Sequence, residues 1–122
     1  MINKSFSQTI SVSENQTAEK MGSGSLPVFA TPAMIAVMEN TAMKVLTDLP
    51  EESTSVGISI NINHLKASKV GEIIEFTATL ILIEGRKYSF QIIAKNSNGE
   101  TIGEGTHERV VVDIQKFMSK LD

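Results

Sequence analysis

At 122 residues, with a formal net charge of -3 and 41% apolar and 20% charged side chains, the chain has the length of one domain (residues 1–122) and the composition of an ordinary soluble globular protein. No cluster of lysine or arginine offers a nucleic acid the basic face it requires, and no tract approaches the roughly 20 apolar residues of a membrane span. Zero cysteines exclude disulfides, thiolate metal sites and a cysteine nucleophile, and Met1-Ile2-Asn3-Lys4 leads into no signal-peptide core, so a cytoplasmic location is expected.

Residues 6–12 alternate and predict a first strand. Met21-Gly22-Ser23-Gly24-Ser25 resembles a linker, and Thr31-Pro32 then starts a helix, with threonine as the expected N-cap and proline at the first helical position. Met34, Ile35, Val37, Met38, Ala42, Val45 and Leu46 carry that helix from residue 32 to about 47, where Leu49-Pro50 ends it. Beyond it the period changes from 3.6 to 2. Val56, Ile58, Ile60 and Ile62 share one face of a strand, His64 continues that face, and Ser59, Asn61 and Asn63 take the other, where they are available for pairing across a two-fold axis. Residues 72–84 form a long strand with Ile74, Phe76, Ala78, Leu80 and Leu82 on one side, and Glu84-Gly85-Arg86 turns it into a strand over 87–96 bearing Tyr88, Phe90, Ile92 and Ala94. Asn98-Gly99 is a hairpin signal leading to a last strand over 101–112, and the tail from Asp113 to Leu121 adds a short helical turn.

The order β-α-β-β-β-β, with short hairpins joining the last three strands, predicts an α+β fold in which one long helix lies across an antiparallel five-stranded sheet. This is the hotdog arrangement.

Glu39 stands out because the helical wheel puts it between Ile35 on one side and Ala42 and Leu46 on the other, facing the packing partner. It is either a border carboxylate reaching water or a lysine, or a partly desolvated acid, base or nucleophile. His64, at the end of the core-facing strand, is its candidate partner, or else a border histidine satisfied by one hydrogen bond. His107 and Arg109 are in phase with Gly103, Gly105 and Val111 on the last strand; paired glycines on a strand face mean close approach of a backbone or a ligand. Arg109 binds a substrate carboxylate or phosphate, or pairs with Glu108, Glu104 or Glu39. Thr31 has a capping role, and a helix N-terminus also suits a carbonyl oxygen acquiring negative charge. Gly57 would let a ligand approach the backbone of the strand that carries His64. Two histidines far apart in sequence, without cysteine, give no metal-ligand spacing, and phosphate-loop, Gly-x-Ser-x-Gly and His-Glu-x-x-His signatures are absent.

Phe29-Ala30-Thr31-Pro32 leading to Met38-Glu39-Asn40, then Ser55-Val56-Gly57 to Asn63-His64, Glu84-Gly85-Arg86-Lys87 and Gly105-Thr106-His107-Glu108-Arg109-Val110, resemble the fluoroacetyl-CoA thioesterase-like branch of the hotdog superfamily over about residues 25 to 117. The resemblance implies hydrolysis of an acyl-CoA thioester by a homodimer, with the acyl chain under the helix, the CoA arm near the subunit interface and no cofactor beyond the CoA of the substrate. It assigns catalytic threonine, glutamate and histidine to Thr31, Glu39 and His64, the thioester-carbonyl glycine to Gly57 and the final-strand arginine to Arg109. An unbroken helix separates the backbones of Thr31 and Glu39 by about 12 Å, too far for a tight hydrogen-bonded triad. The expected mechanism has Glu39 attack the thioester carbonyl or activate a water, His64 orient it and move protons, and backbone N–H groups near Gly57 hold the oxyanion. A hotdog hydratase or dehydratase acting on an enoyl-CoA, and a non-catalytic acyl-CoA or small-molecule binding module, are the alternatives; acyl chain length and identity stay open.

Overall fold

The computed structural model describes residues 2–122. Its strands are β1 (Ser5–Ser11), β2 (Ser53–His64), β3 (Ile73–Glu84), β4 (Lys87–Asn96) and β5 (Thr101–Asp113); its helices are α1 (Ala18–Met21), α2 (Thr31–Met43) and α3 (Ile114–Ser119), with a 3-10 turn at Glu14–Gln16. The strands form one antiparallel sheet in the order β1-β3-β4-β5-β2, so β1 and β2 are its edges.

The sheet curves around α2 and the core lies between them. Met34, Met38 and Ala42 of the helix are buried with Ile74, Phe76, Ala78 and Leu80 of β3, Phe90, Ile92 and Ala94 of β4, and Ile102 of β5. Full burial of Phe76 or Phe90 contributes about 2–3 kcal/mol each, and Phe29, just ahead of the helix, meets Phe76 edge-on at 6.4 Å between ring centroids. The helix is shorter than the pattern over 32–47 predicts. After Met43 the backbone tightens, Val45 N–H donating to the Ala42 carbonyl and Leu46 N–H to that of Met43, so Val45 and Leu46 stay in the core without being helical. Ala30, with extended φ and ψ, is the N-cap instead of Thr31; Thr31 is the first helical residue and its hydroxyl is released from capping.

Two bulges reverse the predicted strand faces. In β2, Gly57 pairs with Arg109 and Ser59 with Glu108, leaving Ile58 as an extra residue. Directly opposed residues share a face, so upstream of the bulge Ser55 and Gly57 point to the core side, and Val56 and Ile58 do not; Ile60, Ile62 and His64 keep the predicted side. In β3, Leu80 pairs with Phe90 and Leu82 with Ser89, so Ile81 is the extra residue, Ile83 packs against the core and Leu82 is exposed. No such reversal affects β4, whose Phe90, Ile92 and Ala94 are buried as its alternation requires.

Gly103 and Gly105 have structural explanations. A Cβ at Gly103 would lie 2.6 Å from Met34 Sδ, and one at Gly105 would collide with the Asn61 carbonyl of β2. They admit the helix and a neighbouring strand, not a ligand.

Candidate active site

The polar groups of the concave face collect at the two ends of β2. The His64 end is assembled by the segment before α2. Phe29 N–H donates to the Ser68 carbonyl, Val28 bridges Lys69, and Ala30 N–H donates to the Gln16 carbonyl, which together hold the start of α2 against the chain leaving β2. Thr31 Oγ1 consequently shares a 2.8 Å hydrogen bond with His64 Nδ1. Both line an open cavity of about 290 Å³ with Phe29, Leu65, Lys66 and Ala67. His64 is half-buried, and its Nε2 is covered without a hydrogen-bond partner. Burial lowers the His64 pKa, with the Lys66 backbone opposing, so the neutral ring is favoured.

At the other end, Glu39 stands at the margin of the buried helix stripe with its side chain 42% exposed. It faces Gly57 across a cleft of about 220 Å³ lined also by Ile58, Ser59, Ile60 and His107. A Cβ at Gly57 would come 2.8 Å from Glu39 Oε2, 3.1 Å from His107 Cε1 and 3.4 Å from Arg109 Nη1. Only glycine leaves the carboxylate where it is.

Arg109 lies beneath the cleft, 7% exposed. Its Nε donates to Ser55 Oγ at 2.8 Å, Nη2 to the Ser55 carbonyl at 2.9 Å and Nη1 to His107 Nε2 at 3.1 Å; Nη1 is also 4.0 Å from Glu39 Oε2. Of the pairings open to it in sequence, the structure selects Glu39 over Glu104 and Glu108. Burial lowers its pKa while Glu39 opposes that shift. A guanidinium stays protonated regardless, so the cleft has a fixed positive charge behind its carboxylate.

The expected pairing of Glu39 with His64 does not occur within one chain. His64 bonds Thr31, and Glu39 is accompanied by Gly57, His107 and Arg109. Six regular strand steps between Gly57 and His64, the bulge residue left out, span about 20 Å. Ser55 and the bulge at Ile58 belong to the Glu39 cleft and escaped sequence reasoning; Gly57, a glycine inside a strand, was the available signal.

An antiparallel sheet in this strand order packed around one helix is the fold of the hotdog thioester hydrolases. A profile of the fluoroacetyl-CoA-specific thioesterase family matches residues 12–115, and the chain belongs to that family. The fluoroacetyl-CoA thioesterase of Streptantibioticus cattleyicolor is 36% identical over 95 residues, which are 77% of this chain and 68% of that protein. A solved structure of a fluoroacetyl-CoA thioesterase superposes with a TM-score of 0.92 at 29% identity, covering 99% of this chain and 94% of the other. A single-site variant of a fluoroacetyl-CoA-specific thioesterase, in complex with fluoroacetate and CoA, superposes at 0.90 with 28% identity, covering 96% and 98%.

Proposed function

We propose that this enzyme hydrolyses short or medium acyl-CoA thioesters to the free acid and CoA, with Glu39 at the reacting carbon. The observation that carries this reading is the Glu39 carboxylate held open to solvent against Gly57, with the buried Arg109 charge 4.0 Å behind it. In one route a Glu39 oxygen attacks the thioester carbonyl, CoA leaves as the thiol and water hydrolyses the mixed anhydride. In the other, Glu39 takes a proton from the attacking water. Backbone N–H groups around Gly57 stabilise the oxyanion and Arg109 fixes the electrostatics; His64, hydrogen-bonded to Thr31, relays to the leaving sulfur the proton that Glu39 takes from water in the general-base route, or a solvent proton that the hydrolytic water later replaces in the nucleophile route. No cofactor beyond the CoA of the substrate enters this scheme, and the whole chain serves as one hotdog domain in the cytoplasm.

The catalytic unit in this reading is a homodimer through β2. Its edge is long, and Ile58 and Ile60 are 53% and 39% exposed along it. Antiparallel pairing of β2 with a second copy must keep core-facing residues opposite core-facing residues, so the two-fold axis passes midway between a residue and its own copy. An axis at Asn61 sets Ser59 against the partner's Asn63 and Ile60 against the partner's Ile62, and brings the partner's His64 beside the bulge at Ile58. Glu39 and a histidine then meet across the interface, removing the separation of about 20 Å within one chain.

Free-thiol release over a panel of acyl-CoA chain lengths, fluoroacetyl-CoA included, tests the activity. Mixing and re-equilibrating Glu39→Gln and His64→Ala dimers tests the assembly: a shared site regains activity because half of the sites in each mixed dimer are intact, whereas a site within one chain stays inactive. Incorporation of ¹⁸O from water into the Glu39 carboxylate separates the nucleophile route from the general-base route.

A further inference from the structure

His107 is 1% exposed, against the Phe90 ring with centroids 6.3 Å apart. A phenylalanine there would fill space without the desolvation cost of an imidazole, so the polar atoms need a reason. Both nitrogens are engaged. Nε2 meets Arg109 Nη1, and because a guanidinium only donates, Nε2 must accept. The ring proton therefore sits on Nδ1, which donates to the Ser59 carbonyl at 2.7 Å. Ser59 is the residue at which β2 resumes its pairing after the extra residue Ile58.

We propose that His107 is a positioning residue for thioester hydrolysis: as a neutral, Nδ1-protonated imidazole it ties the β2 bulge to the Arg109 guanidinium and so sets where Arg109 stands relative to Glu39. Arg109 has three N–H groups committed, two to Ser55 and one to His107, and the remaining Nη1–H is the one nearest Glu39. Without the imidazole acceptor that end of the guanidinium is free to rotate towards the carboxylate and neutralise it. The bond from Nδ1 to the Ser59 carbonyl fixes the ring so that Nε2 faces the guanidinium. The other charged group near the ring is Glu108 on β5, whose carboxylate is engaged at the sheet surface by Lys87.

The proposal rests on Glu39 as the reacting carboxylate, so Glu39→Gln is assayed alongside. His107→Phe is expected to lower kcat about 10- to 100-fold with KM little changed, because a ring 1% exposed presents almost no surface to substrate. His107→Gln, which restores an acceptor near the Nε2 position, recovers part of the loss. In an Arg109→Gln background, His107→Phe lowers kcat less than about twofold further, since its effect passes through the guanidinium. Side-chain ¹⁵N spectra of the unaltered protein show the neutral Nδ1–H tautomer at His107. Wild-type kcat in His107→Phe, additivity with Arg109→Gln, or an Nε2–H tautomer overturns the role even if Glu39→Gln is inactive. An active Glu39→Gln overturns the role together with the reading beneath it. Should His107→Phe fail to fold, the ¹⁵N spectrum and His107→Gln decide.

Discussion

The two ends of β2 place polar groups in opposite settings. At the His64 end the imidazole lies at the mouth of an open cavity with one hydrogen-bond partner, the hydroxyl of an exposed threonine. At the Gly57 end, both nitrogens of His107 and three donors of Arg109 are committed beneath a carboxylate that faces solvent. One end can adjust and the other is preorganised. In the proposed mechanism the division suits the chemistry, because stabilising charge in a transition state requires dipoles already in place, whereas proton delivery tolerates a side chain that moves.

The contrast is broken most directly by Glu39→Gln. The amide keeps the shape and removes the charge, so kcat/KM for thiol release should fall by about 10³-fold, while the melting temperature changes little for a side chain so exposed. Retained activity would mean that the preorganised end has another purpose. Gly57→Ala against Gly105→Ala sharpens the contrast next. A Cβ at Gly57 meets the flexible end of Glu39, so the fold should survive while the carboxylate is displaced, and kcat falls about 10- to 100-fold. A Cβ at Gly105 meets the Asn61 backbone, so β2 must part from β5, and denaturant titration should show a loss of about 2–4 kcal/mol. The adjustable end is tested by Thr31→Val, which deprives His64 Nδ1 of its partner at a cost of about tenfold in kcat, the equivalent of one hydrogen bond. Thr31→Ser should stay close to wild type; if Thr31→Val does too, the Thr31–His64 contact has no part in turnover.

In the stretch of β4 that no bulge interrupts, the sheet faces were legible in sequence. Phe90, Ile92 and Ala94 allow only one face to be inside, and they lie inside. In β3 the bulge falls in the apolar run Ile81-Leu82-Ile83, and in β2 it falls at Ile58 inside the clean alternation of Val56, Ile58, Ile60 and Ile62; parity cannot register an added residue in either strand. The same limit governed the site. Gly57, His107 and Arg109 could each be singled out, but their convergence requires the bulge, and the hold on Arg109 comes from Ser55, 54 residues earlier in the chain. The helical wheel located Glu39 beside the buried stripe, yet a wheel carries no information about the opposing strand. For that reason His64 was matched to Glu39, while the chain itself joins it to Thr31.

The smallest expected effect is linked to acid and bears on both ends together. Burial lowers the pKa of His64 and of His107 from the ordinary value of 6.5; at His107 the Arg109 charge lowers it further while the Ser59 bond, Glu39 and Glu108 oppose, and at His64 only the Lys66 backbone opposes. As pH falls through about 6.5 the unfolded chain takes up protons that the folded protein still refuses. The unfolded state therefore binds more protons in this window, and stability that is complete above about pH 6.5 declines as pH drops toward the lowered folded-state values. Urea midpoints measured from pH 7.5 down to 5 should fall, and replacing either histidine by phenylalanine should flatten the fall by that residue's share. A ring held neutral by its neighbours contributes this linkage wherever it sits, so His107→Phe and His64→Phe must both flatten the curve. A pH dependence that His107→Phe leaves unchanged or steepens would mean that the His107 ring takes up its proton in the folded protein as readily as in the unfolded one, and the acceptor role of its Nε2 toward Arg109 would fail with it.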